Sequence, residues 1–182
     1  MDIKKLEVFK IVLEQIPEIR YAGDVILRTE TKEISFEEGL EIAKRLENVL
    51  LKYREIIGYG RGLAAPQIGE SKLVFITFVD NKIEIFINPK IIERSATTNF
   101  YKELCMSAGI LAADVERPDW VVMEWIDETG RNRSEKVEGF KARLYQHEEA
   151  HLRGHLNLDD AVSGGIQFID FDPLKEQLRG NK

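Results

Sequence analysis

A chain of 182 residues, 43% hydrophobic and 32% charged, has the make-up of a globular protein and is long enough to bury a core without disulfides or a structural metal. Its formal charge of −6, from 26 basic and 32 acidic side chains, argues against broad binding to a nucleic-acid backbone, which needs a basic face. The single cysteine, Cys105, excludes an internal disulfide; the N-terminus is not leader-like and no run of ~18 apolar residues occurs, so a cytoplasmic protein with no membrane segment is expected.

Residues 2–16 place Ile3, Leu6, Phe9, Leu13 and Ile16 at helical spacing, and Pro17 ends the pattern. A second helix is predicted over 35–57. Ser35 and Glu38 form a capping-box pair, Leu40, Ala43, Leu46, Leu50, Tyr53 and Ile57 form the apolar stripe, and Gly58 is the stop. The period then changes to that of strands over 72–79 and 82–87, with a turn between them and Asn88-Pro89 closing the second. Residues 120–126 and 134–138 read as strands around the turn "DETGR". Residues 139–153 read as a helix ending just before Gly154, and Asp172-Pro173 as the start of a short C-terminal helix. Without regular helical crossovers between strands, this pattern predicts an α+β fold with antiparallel sheet, residues 1–182 forming a single domain.

All three histidines fall between His147 and His155, in "LYQHEEAHLRGH". His147-Glu148-Glu149-Ala150-His151 is an H-E-x-x-H pattern. On a helix its two histidines are ~6 Å apart along the axis and rotated by ~40°, so both rings can reach one ion. Glu148, rotated by ~100°, flanks that ion and can work on a water beside it as base and then acid. The bland reading is a surface helix with incidental histidines. His155 lies two turns from His147, ~12 Å along the axis, and cannot join it on one ion, so a structural or solvent-facing role is expected. A metzincin-type signature needs histidine where Asn157 stands, so the third ligand must come from elsewhere. Cys105 in "ELCMS" is the leading donor, although a lone cysteine is usually a small buried hydrophobe. In "GRGLAAPQIG", residues 60–69, Gly60 and Gly62 permit close backbone approach, and Gln67 can donate to a developing oxyanion. Two other readings stay open: a metallopeptidase with a different third ligand, and a structural metal clamp without catalysis.

The three segments "GRGLAAPQIG", "ELCMS" and "QHEEAHLRG", in this order, resemble the motifs of the peptide deformylase family, and "FINPKI", "VERPDWV" and "EGFKARLYQHE" extend the likeness over most of residues 24–160. The resemblance implies antiparallel β-sheets packed around a central helix carrying H-E-x-x-H, with additional N-terminal helices. It implies a metal-dependent hydrolase that removes the N-formyl group from formylmethionine at the start of newly made polypeptides and releases formate. By the same resemblance, Cys105, His147 and His151 are the metal ligands and Glu148 is the general acid/base. Gln67 and the backbone N–H of Met106 bind the oxygen as it becomes negative, and the Gly62 backbone holds the substrate chain. The implied cofactor is one divalent ion, Fe2+ first, with Zn2+, Ni2+ or Co2+ able to substitute. The implied partners are N-formylmethionyl nascent peptides and, transiently, the ribosome.

The sequence departs from the family pattern at four places. Leu104 stands where the family has Gly, Met106 where it has Leu, Ala150 where it has Asp, and Gly109 where many members have Pro. The loss of the Asp at 150 is expected to leave a basic residue unpaired, with Arg117 as the candidate, and Leu104 to reshape the cleft beside Cys105 or alter its backbone. These changes define an alternative: a deformylase-like amidase with altered substrate or weak activity.

Overall fold

The computed structural model describes residues 3–169. Helix α1 spans Ile3–Gln15 and helix α2 spans Phe36–Ile57, close to the predicted bounds. Ser35 caps α2 by accepting the Glu38 backbone N–H at 3.2 Å. The reciprocal half of the expected capping box is replaced by an ion pair, Glu38 Oε1 lying 2.6 Å from Lys72 Nζ. Gly58 ends the helix with φ of 87°, its N–H donating to Arg54 O at 2.8 Å.

Five strands form one antiparallel sheet in the order β1 (Gly62–Ala64), β2 (Val74–Val79), β3 (Lys82–Arg94), β6 (Trp120–Ile126), β7 (Asn132–Glu138). A second antiparallel sheet holds β4 (Thr98–Leu104), β5 (Leu111–Pro118) and β8 (Ala161–Phe168) in that order. Helix α3, Gly139–Leu152, packs against strands of both sheets. These elements confirm an α+β fold built on antiparallel sheets.

Asn88-Pro89 does not close a strand, as the sequence suggested. β3 runs on to Arg94, bending at a register shift between Ile87 and Lys90 as its partner changes from β2 to β6. Asn88 takes φ of 50° and stabilises the bend with its own amide, donating to Ile34 O at 2.9 Å and accepting Ile34 N–H at 3.1 Å. Pro89, lacking an N–H, is tolerated at such an irregularity because no ladder bond is asked of it. The predicted start of a C-terminal helix at Asp172-Pro173 lies outside the described residues.

Alternation along the strands sorts the core into two layers. Val74 and Ile76 of β2 and Ile87 of β3 face α1 and α2, meeting Val12, Leu46 and Leu50. Phe75 and Phe86 face the other way, stacked at 4.3 Å, with Tyr145 of α3 edge-on to Phe86 at 4.7 Å. The larger sheet is thus clamped between α2 and α3. Every residue of α3 from Ala142 to Leu152 is buried, although Arg143, Gln146, His147, Glu148, Glu149 and His151 are polar. A helix buried all round is ordinarily apolar, so each of these groups must find a partner.

Candidate active site

Arg143, His147 and His151 find their partners where the two sheets meet α3, at Glu103 and Cys105. β4 runs straight into Cys105, the N-cap of a short 3-10 turn, Met106–Ala108. Cys105 Sγ and one nitrogen each from His147 and His151 lie within 4.8 Å of one another, and all three residues are buried. Sγ is 3.3 Å from His151 Nε2, and the two imidazole rings stand 5.0 Å apart at 84°. One turn of helix brings the histidines together, as their spacing predicted; the tertiary fold adds the thiol. His155 stands apart, its side chain half exposed and its Nδ1 3.5 Å from Asp160 Oδ1.

This donor set fits a divalent transition metal. A thiolate and two imidazoles are its usual protein ligands, and three protein ligands leave a coordination position open. Glu148 supplies a second observation: it is buried, and its Oε2 has no hydrogen-bond partner among the described residues. Burial pushes its carboxyl up to about 7, with the neighbouring His147 working against the rise. Its other oxygen lies against Gly62, where an added Cβ would sit 2.1 Å from Oε1. Only glycine permits that approach.

Gln67 is buried in the 3-10 turn that follows β1. Its Oε1 accepts the Ala64 N–H at 2.8 Å; its Nε2 donates to Ser107 Oγ at 3.1 Å and lies 3.6 Å from Cys105 Sγ. Met106 opens its own 3-10 turn beside the thiol, the kind of position whose backbone N–H has no partner within the turn. Gly62, Gln67, Cys105, Met106, His147, Glu148 and His151 therefore form one cluster. The strand carrying Gly62 is an outer strand of its sheet, as β4 is of the other.

Reading the sequence alone missed the group that supports the histidine. Glu103 is buried, and its Oε2 lies 2.8 Å from His147 Nδ1. Arg117 donates to both of its oxygens, Nε to Oε1 at 2.7 Å and Nη2 to Oε2 at 2.9 Å. Arg143 Nη1 donates to Oε1 at 3.1 Å. Burial by itself raises the Glu103 carboxyl, but Arg117 and His147 outweigh it and hold it well below the usual carboxylate range. One signal was available: Glu103 precedes Cys105 by two residues, so the extended chain turns both to one face. Asn157, noted only as not being histidine, donates from Nδ2 to Glu103 O at 3.0 Å and holds that segment in place.

The expectations drawn from the divergent positions change accordingly. Arg117 is not left unpaired by Ala150: beyond Glu103, its Nη1 reaches Asp160 Oδ2 at 3.3 Å. Leu104 sits in the regular ladder opposite Ala112. Among the described residues, the non-glycine positions with positive φ are Asp80, Asn81 and Asn88, so Leu104 imposes no left-handed backbone at the thiol.

Comparison with known proteins agrees with this architecture. A family model described as polypeptide deformylase matches residues 16–165. A peptide deformylase of Dictyoglomus thermophilum is 39% identical over 148 residues, 81% of this chain and 94% of that protein. One from Prochlorococcus marinus strain MIT 9515 is 36% identical over 191 residues, 96% of this chain and 93% of that protein. The crystal structure of peptide deformylase from Thermotoga maritima aligns with a TM-score of 0.71 at 34% identity, covering 80% of this chain and 97% of that one. The structure from Thermus thermophilus aligns with a TM-score of 0.72 at 31% identity, covering 80% and 85%. With a family model spanning most of its length and relatives of this similarity, the chain belongs to the polypeptide deformylase family and is a hydrolase that removes formyl groups.

Proposed function

We propose that this chain removes the N-formyl group from formylmethionine at the N-terminus of newly made polypeptides, using one divalent metal held by Cys105, His147 and His151. The convergence of a buried thiol and two imidazoles, with a buried carboxylate oxygen left unpartnered beside them, carries this reading. When bound, the ion acidifies a water and polarises the formyl oxygen.

The chain's own groups supply the rest. Glu148, its carboxyl raised towards neutrality, accepts a proton from the attacking water and delivers it to the amine nitrogen as that nitrogen leaves. Gln67 Nε2 donates one N–H to Ser107 Oγ and directs the other towards Cys105 Sγ, from where it turns to the oxygen that becomes negative beside the thiol; the Met106 N–H is the second donor. The outer edge of β1 at Gly62 binds the substrate backbone in an extended pose, adding a strand to the sheet. Formate and a free α-amino group are the products.

The family resemblance makes iron(II) the first choice of ion, and the mixed sulfur and nitrogen donor set would equally accept zinc, nickel or cobalt. With such a substrate the enzyme would work in the cytoplasm, and transient contact with the ribosome is part of the same proposal. The alternative of an amidase with altered substrate is not favoured: Leu104 leaves the strand backbone regular, Arg117 keeps its partners, and the relatives are peptide deformylases.

The test is anaerobic purification, metal analysis and a formate-release assay on formyl-Met-Ala, with Glu148→Ala as control. One equivalent of metal in both proteins, and formate from the wild type alone, is the expected result. Loaded metal with no release from the wild type would overturn the substrate assignment.

A further inference from the structure

The proposed mechanism leaves one buried cation without a task. Arg143 lies one helical turn before His147 on α3 and is only 6% exposed. A buried guanidinium is costly unless its donors are met. Here Nη1 donates to Glu103 Oε1 at 3.1 Å and to Val115 O at 3.0 Å, and Nη2 donates to Asn99 O at 2.8 Å and to Asn99 Oδ1. Arg143 therefore ties α3 to two points on β4 and one on β5.

The shared acceptor matters most. Glu103 Oε1 takes both Arg117 Nε and Arg143 Nη1, and Oε2 takes both Arg117 Nη2 and His147 Nδ1. Arg117 reaches the carboxylate from β5, and Arg143 reaches it from the helix that carries the histidines. With a guanidinium on each side the carboxylate cannot rotate, so its contact with the imidazole is fixed. Glu103 also precedes Cys105 by two residues on an extended segment, so the same clamp sets where the sulfur meets the rings.

We infer that Arg143 is a positioning residue for the metal centre, locking Glu103 from the α3 side so that His147 and Cys105 present their donor atoms at one point. This rests on the proposed metal reading of Cys105, His147 and His151. A merely structural Arg143 would alter the stability of the fold and leave the affinity and spectrum of the metal unchanged.

The experiment is an anaerobic titration of the metal-free full chain with Co2+, reading the thiolate-to-cobalt absorption, the ligand-field bands and the dissociation constant, with near-ultraviolet circular dichroism as the check on folding. Support outside the ligand shell is typically worth about 10–100-fold in metal affinity. Arg143→Leu is expected to weaken Co2+ binding by that factor and to shift the ligand-field bands, and Arg143→Lys to recover part of the loss. Asn99→Ala removes one acceptor of Arg143 at an exposed residue and is expected to weaken binding by a smaller factor. A folded Arg143→Leu protein with wild-type affinity and bands would overturn the inference. If Arg143→Leu does not fold, wild-type affinity and bands in both Arg143→Lys and Asn99→Ala would overturn it. A wild type with no thiolate-to-cobalt band would overturn the metal reading itself, and this inference with it.

Discussion

A β-carbon at residue 62 would lie 2.1 Å from Oε1 of Glu148, so the glycine of the first strand and the carboxylate of the central helix are mutually dependent. Replacing Gly62 with Ala must displace Glu148 or the strand. Displacements of ~1 Å at a reacting group cost on the order of 100-fold in rate. Gly62→Ala is expected to lower kcat/KM for formyl-Met-Ala by about that factor with metal content unchanged; parallel metal analysis and formate assay check it.

Cys105 and Glu148 are expected to separate metal binding from catalysis. Cys105→Ala removes the one sulfur donor and should abolish stoichiometric metal. Glu148→Gln should keep the metal and lose about 10²–10⁴-fold in turnover, the range for a positioned acid/base group. Full metal content in Cys105→Ala would point to a different third ligand.

Phe86 tests the layer that positions α3. It is fully buried, stacked on Phe75 and packed against Tyr145 and Trp125. Phe86→Ala is expected to cost about 3–5 kcal/mol, the range for truncating a core aromatic. Urea denaturation would show this as a lower midpoint at unchanged slope.

Asp127 gives a pH-dependent prediction away from the proposed metal site. Its carboxylate accepts from Thr129 Oγ1 at 2.6 Å, Thr129 N at 2.8 Å, Arg131 N at 3.0 Å and Arg133 Nε at 2.5 Å, closing the turn between β6 and β7. The Thr129 hydroxyl above all, with the other donors, holds it well below the ordinary carboxylate range. Because the unfolded chain binds this proton more readily, the contribution is complete above the ordinary aspartate value of about 4 and is lost as pH falls through the depressed native one. Asp127→Asn is therefore expected to lower Tm at pH 7, and the gap from wild type to narrow below about pH 4. Thermal scans of both proteins across that range would decide it; a constant gap would exclude the ionised form as the source.

The chain's local periodicities determined α1, α2, the β2–β3 and β6–β7 hairpins, and the helix bearing His147 and His151, because each is written in spacings of a few residues. The order of the three motifs pointed to the family and to every member of the proposed cluster. Only the tertiary structure decided the second sheet, the bend at Asn88 and the clamp on Glu103. β4 and β5 turn Glu103 and Arg117 inward, so their alternation does not read as apolar against polar. Whether those charges are buried and paired depends on Arg143 and His147, distant in sequence, and no local pattern records which carboxylate a buried guanidinium will meet. The sequence thus supplied the donor atoms; packing of the two sheets around α3 supplied their distances, and the chemistry depends on those distances.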